Sequence, residues 1–469
     1  MQMIKYNFRA FYPLILLIIL WIIKPPSGLD EEAYIMFIVF TSTILSILIK
    51  AIPMSTSVLI GLLLCIITNL LSLKDALMGF GDSTTWLVVI AFLIAGVIID
   101  TGLGKRIALI CIKLLGKTVT GLGYAICASE LILGPLVPSN TARGGGVIAP
   151  IVDSISRSLG SEPKKTPGVA GEYLHLVGAH ANLITAAMFL TGMAANPLIS
   201  RAALEVYGIE FGWTTWALGS IIPGLIGLAG LPIFLKYYSN PTIGSIENIR
   251  EDIKLRIKEL GPWSFREIAM VIILLLMLIL WTTKSFHNMG TTTVSLFGLV
   301  MLLILNIATW DQLVKNYKAW DTLIWLGGLL TLATGLKSTG FISWISESMN
   351  TSLEGVEPFA LLILLAIIYF YSMYVFSMLT AHIVALGSTI MVVASGTDLN
   401  PFLVVGIIAY ISSLCGCLTN YSTGPVIIYF GNGYSKPSNW FKIGFFVSVY
   451  HLIVWFVFGT IWWKYIGWF

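Results

Sequence analysis

The stretch VPSNTARGGG, Val137 to Gly146, decides how this chain folds. It stands where an apolar run would continue in leucine and isoleucine, and it sets a polar triplet, an arginine and three glycines there. A helix break inside a membrane frees backbone N–H and C=O groups that lipid cannot satisfy, so it survives only against protein or a water-filled cavity. Two questions follow: whether the surroundings are membrane, and what the freed groups face.

The surroundings are membrane. Of 469 residues, 57% are hydrophobic and 11% charged, where a soluble domain carries about 25% charged residues, and the mean hydropathy is +0.90. Apolar runs near the roughly 20 residues needed to cross a bilayer recur from end to end. Read against turn signals, they place spans at about 11–24, 33–49, 55–72, 86–101, 170–206, 212–237, 265–283, 290–308, 321–337, 401–430 and 442–463, eleven in all. The first run follows Lys5 and Arg9 and has no small-residue cleavage site, so it reads as a span with a cytoplasmic N-terminus. Basic loops such as GLGKRIALICIKLLGK and KNYKAWD contrast with acidic GLDEEAY and EVYGIEFG. Placing the basic ones inside a plasma membrane puts the C-terminus outside. A net charge of +4 distributed this way argues topology and no nucleic-acid partner.

Two further apolar segments, about 119–159 and 355–395, are each interrupted at the middle, by PSNTARGGG and by SMLTAH. They read as re-entrant hairpins that enter and leave by the same face. The halves answer one another: DTG at Asp100–Gly102 matches STG at Ser338–Gly340, a shift of 238, and NTAR at Asn140–Arg143 matches LTAH at Leu379–His382, a shift of 239. The expected organisation is an N-terminal span (1–29), a first repeat (30–237), a cytoplasmic linker (238–264) and a second repeat (265–469), the second inverted by an odd number of crossings. The fold class is thus an all-α integral membrane protein. Inverted repeats with broken helices are the signature of secondary transporters.

The chemistry of the breaks follows. Pro135 and Pro138 end the entering helix of the first hairpin, and the leaving helix points free N–H groups and the positive end of its dipole at the turn. An anion suits such a turn, and the side chains of Ser139, Asn140 and Thr141 add donors for a carboxylate. Thr380 supplies the same from the second hairpin, so two facing tips suit a ligand with two anionic ends. Arg143 and His382 hold equivalent positions. A central arginine costs about 2.5–3.5 kcal/mol on insertion scales and needs a partner, either a local carboxylate such as Glu130 or Asp153 or the substrate itself. Two further breaks, TGMAANP (Thr191–Pro197) and TNYSTGP (Thr419–Pro425), offer Gly192, Asn196, Thr423 and Gly424 to the same site. No H-E-x-x-H motif occurs and paired membrane aspartates are not evident, which argues against an enzyme. Five cysteines inside apolar stretches give no metal or disulfide pattern, and neither cofactor nor metal is expected.

The strings PSNTARGGG, NLITAAMFLTGMAANPL, LTAH and LTNYSTGPVIIYFG resemble the divalent anion/sodium symporter family, in its citrate, tartrate and 2-oxoglutarate/malate translocator branch. The resemblance runs through nearly the whole chain. It implies a homodimer of eleven-span protomers in the lipid bilayer, each with a fixed scaffold part and a transport part that moves like an elevator. Family members coupled to sodium carry Ser-Asn-Thr in both hairpins, and those triplets hold sodium as well as substrate. Here Ser139, Asn140 and Thr141 match the first triplet, with Gly192 in the associated broken span. Met378 and Leu379 replace the serine and asparagine of the second. The expectation is therefore sodium-independent exchange of small dicarboxylates (2-oxoglutarate, malate, succinate or fumarate), with Arg143 and His382 standing in for mobile cations. Sodium-coupled symport of di- or tricarboxylates or another divalent anion is the alternative.

Overall fold

In a computed structural model, the structure describes Ile18 and residues 22–50, 52–137, 139–243, 247–352 and 357–469. Most of the first expected span, with Lys5 and Arg9, lies outside the described residues, as does Pro138 at the first break. All regular structure among the described residues is helical. Eight helices are long and apolar enough to cross a membrane, from Glu31–Leu48 to Pro437–Tyr465. Pro401–Leu418 is 89% buried inside the protein and Phe265–Thr282 only 39%. The first is a central element; the second turns Ile268, Ile272, Leu275 and Ile279 outward at helical spacing, an apolar face suited to lipid.

The elements run through one series twice. Glu31–Leu48, Met54–Ile67, Ser83–Thr101 and Leu103–Leu115 lead to a helix pair broken at 134–140, a span broken at 189–195, and Trp213–Ser239. Phe265–Thr282, Thr291–Ile304, Tyr317–Ser338 and Phe341–Ser352 lead in turn to a pair broken at 376–378, a span broken between Leu414 and Gly424, and Pro437–Ile453, which continues to Tyr465. The corners agree as well. Gly102 and Gly340 have φ of 77° and 85°, left-handed positions that glycine occupies without a Cβ clash. Asn69 and Asn306, with φ of 58° and 52°, close their helices alike. The next two N–H groups return to Cys65 O at 2.9 and 3.2 Å in one case and to Leu302 O at 2.9 and 3.1 Å in the other. These asparagine corners explain why the spans expected at about 55–72 and 290–308 are shorter, as the 14-residue helices Met54–Ile67 and Thr291–Ile304.

The expected spans 170–206 and 401–430 are broken helices, and the first shows how a break is tolerated. Gly171–Met188 is buried at every position except Glu172, so the carbonyls freed after it must be met by protein. Trp216 Nε1 donates to Ala187 O at 2.8 Å and Ser220 Oγ to Met188 O at 2.6 Å. The side chain of Asn196 donates to Ala186 O at 2.7 Å and Phe189 O at 2.9 Å. The chain runs extended at Phe189 and Met193, and Pro197 restarts the helix in its first turn.

Candidate functional site

At the first break Val119–Leu133 ends at Gly134 and Pro135, and the N–H of Val137 returns to Leu133 O at 2.8 Å. Ser139 then starts the leaving arm: its hydroxyl accepts from the N–H of Ala142 at 3.2 Å and its carbonyl from that of Arg143 at 2.9 Å. That arm opens π-helical, Thr141–Ile148, before tightening into Ala149–Ser158. The second break repeats the form. Leu379–His382 passes into a π-helical stretch, Ile383–Gly387, and then Ser388–Ala394. π-Turns inside α-helices are uncommon and recur at functional sites.

Both tips reach one cavity of about 570 Å³, within the 300–1,000 Å³ range of small-ligand sites. Ser139, Asn140, Thr141 and Ala142 line it from the first tip; Ser377, Met378, Leu379 and Thr380 from the second; Met193, Ala194, Ser422, Thr423 and Gly424 from the broken spans. Specific bonds fix these pieces. Asn140 Nδ2 donates to Thr423 Oγ1 at 3.1 Å, and the N–H of Leu379 to Ser422 O at 2.8 Å. Gly424 lies so near the first tip that a Cβ there would sit 2.3 Å from Thr141 Oγ1. The arrangement presents hydroxyl and amide groups from both halves of the chain to a shared space, as anion recognition requires.

Six of the ten residues expected in the site line this cavity: Ser139, Asn140, Thr141, Thr380, Thr423 and Gly424. Four do not. Arg143 is fully buried and bound elsewhere: its Nε meets Glu130 Oε2 at 2.6 Å, with neither side chain exposed. Three of its other donors go to Val137 O at 3.0 Å, Gly192 O at 3.1 Å and Thr185 Oγ1 at 3.1 Å. Of the two partners open to it, the local carboxylate holds the arginine, and that carboxylate is Glu130; Asp153 pairs with Arg157 at 3.0 Å instead. Gly192 offers its carbonyl to Arg143, and Asn196 is committed to the freed carbonyls of its own break. His382 is also enclosed. It shares a hydrogen bond with Ser372 Oγ at 2.8 Å and lies 4.2 Å from the Tyr369 ring and 4.9 Å from that of Phe376, centroid to centroid.

Part of the lining comes from residues that sequence reasoning did not place in the site: Lys50, Asn316, Lys318, Asp321 and Trp325. KNYKAWD reads as a basic loop, a topology signal. In the structure Asn316 caps a helix that begins at Tyr317, and its amide donates to Phe92 O at 3.0 Å, which holds the corner against Ser83–Thr101. The signal that pointed there was the lysine and asparagine content beside a span. Asp321 is engaged by the hydroxyl of Ser55.

Comparison with known proteins agrees with this architecture. A family model described as "Sodium:sulfate symporter transmembrane region" matches residues 5–469. The chain is 41% identical over 451 residues to the "Putative malate transporter YflS" of Bacillus subtilis, covering 96% of this chain and 94% of that protein. It is 35% identical to the chloroplastic dicarboxylate transporter 1 of Spinacia oleracea, over 96% of this chain and 80% of that one. With the L-tartrate/succinate antiporter of Shigella boydii serotype 4 it shares 30% identity over 97% of each chain. Among solved structures, the YdaH transporter of Alcanivorax borkumensis superposes with a TM-score of 0.58 at 12% identity, over 84% of this chain and 88% of that one, a likeness of fold.

Proposed function

The chain belongs to the divalent anion/sodium symporter family, in its dicarboxylate branch, and on that premise we propose that it exchanges C4 and C5 dicarboxylates across the plasma membrane without sodium. The observation that carries this reading is the single cavity into which both tips, Ser139 to Thr141 and Ser377 to Thr380, project. A dicarboxylate has two anionic ends, and the cavity offers it donors from two opposed breaks. 2-Oxoglutarate, malate, succinate and fumarate are the candidate substrates; relatives named for malate, for dicarboxylates and for tartrate and succinate support the class.

Independence from sodium is supported by what fills the space beside each tip. Arg143 donates to the carbonyls of Val137 and Gly192, oxygens of the kind a bound cation takes as ligands. At the second tip Leu379 is buried, and a Cβ on Gly416 would sit 3.1 Å from its Cδ1, so apolar packing replaces an asparagine amide. A carrier without a coupling ion is driven by its substrates' own gradients, and exchange follows. The twice-run series of elements suits two inverted repeats with re-entrant hairpins, and breaks on both sides of the cavity suit an elevator in which tips and broken spans move together. A homodimer with its N-terminus cytoplasmic and C-terminus outside completes the reading.

In proteoliposomes, uptake of labelled malate is expected to need an internal dicarboxylate and to persist without sodium. Thr141→Ala and Thr380→Ala should each weaken apparent affinity about two- to tenfold, the worth of one lost hydrogen bond. Sodium symport is the second reading, favoured by the intact Ser139, Asn140 and Thr141 triplet on the cavity wall. Strong sodium dependence of uptake into vesicles empty of dicarboxylate establishes it in place of exchange.

A further inference from the structure

We propose that Lys50 and Lys318 form a carboxylate-capture site on the part of the cavity wall outside the two hairpins, binding one end of the anionic substrate before the tips take it. The inference rests on the dicarboxylate reading and adds to it a pair of residues outside both hairpins and both broken spans. Three charged side chains line the cavity: Lys50, Lys318 and Asp321. Asp321 is bonded by Ser55, and among the described residues no carboxylate lies within 4.0 Å of either ammonium group. Two lysines against one aspartate leave the wall with a net positive charge, and a net positive cleft concentrates an anionic ligand.

The backbone supplies an independent observation. Lys50 sits at a left-handed corner with φ of 51°, a conformation that a lysine adopts at an energetic cost and an asparagine at much less. At the corresponding corner, between the first two helices of the second series, the left-handed residue is Asn288, with φ of 55°. The first series thus holds a lysine where the second holds the residue the geometry prefers. Strained positions persist where function retains them. The corner also touches the second tip, because Ser377 Oγ donates to Leu48 O at 3.3 Å. A carboxylate at Lys50 is therefore beside the hairpin that has to receive it.

The test is malate/malate counterflow in proteoliposomes of known orientation, with labelled malate presented to each face in turn. Lys50→Asn removes the charge while installing the residue that suits the corner, and so protects folding; Lys318→Gln removes the second charge. The double variant is expected to raise KM roughly five- to tenfold at one face, with kcat within about twofold, and the difference should shrink at high salt. Lys50→Arg with Lys318→Arg, keeping both charges, should restore KM. A double variant whose KM is unchanged at both faces overturns the proposal. A wild-type chain that transports no dicarboxylate overturns the functional reading instead.

Discussion

Arg143 Nε stands 2.6 Å from Glu130 Oε2, and neither side chain has any exposed surface. Asn182 Nδ2 reaches the same carboxylate at 3.0 Å and the carbonyl of Asn140 at 3.2 Å, so the pair is joined to the first tip through one amide. It ties the two arms of the hairpin together and presents no net charge to the interior. Arg143→Ala should therefore unfold before it uncouples. It leaves a carboxylate buried without its partner, a loss of about 3–5 kcal/mol, readable as a lowered melting temperature in detergent. Glu130→Gln with Arg143→Gln removes both charges and should recover part of the loss. An Arg143→Ala protein that melts normally and has lost only transport returns the arginine to the substrate.

Asn196 makes a sharper case, because its chemistry has a direction. Both of its contacts at the break run from the amide nitrogen to carbonyl oxygens. Asn196→Asp keeps the shape and turns the donor into an acceptor facing those oxygens. We expect a stability loss of at least about 1–3 kcal/mol, the cost of buried polar groups left unpaired. The rank order of competing dicarboxylates in any residual counterflow should not change. Equal melting temperatures for Asn196→Asp and wild type would falsify the capping role.

The breaks were legible in the sequence because they are local. A polar triplet or a Gly–Asn–Pro run inside an apolar stretch has few structural solutions, and the Gly102–Gly340 and Thr141–Thr380 matches set the two halves in register. What each polar side chain faces was not legible, since it depends on contacts between distant segments. Glu130 lies one helix arm from Arg143, and Gly192 reaches Arg143 only because the span after the hairpin folds back across it. Lys318, inside KNYKAWD, read as a topology signal and Lys50 drew no reading, because a cytoplasmic lysine and a cavity lysine look alike in a sequence. The 14-residue helices turned on single asparagines, Asn69 and Asn306, whose left-handed backbone no hydropathy pattern encodes.

Gly424 allows a prediction with an internal control. A methyl group there would lie 2.3 Å from Thr141 Oγ1 and 2.6 Å from Thr141 Cγ2, whereas one on Gly431, at the end of the same helix, meets nothing within 4 Å. Gly424→Ala should push the first tip off the broken span, break the Asn140–Thr423 bond and lower kcat/KM for malate by roughly tenfold or more, as a misplacement near 1 Å does. Gly431→Ala should transport normally. Equal activity of the two variants removes the Thr141 contact from the site.

A final prediction concerns the side of the molecule away from the two lysines. Lys318 and Lys337 stand at opposite ends of the unbroken helix Tyr317–Ser338, about 28 Å apart at 1.5 Å per residue. At the Lys337 end, its ammonium donates to the carbonyl of Glu205. Arg201 pairs there with Asp82 at 3.3 Å and with Glu205 at 2.7 Å. These contacts fasten Asn196–Tyr207 to two helices outside the broken spans, across a crevice that Ala333 lines. If the broken spans travel, this fastening must open. Asp82→Asn should then raise the reactivity of a cysteine placed there by Ala333→Cys toward a membrane-impermeant maleimide about two- to fivefold, the reach of a part-exposed ion pair worth roughly 0.5–1 kcal/mol. Background labelling should be low, because the five native cysteines are buried. Reactivity unchanged by Asp82→Asn means that the ion pair does not hold the crevice shut.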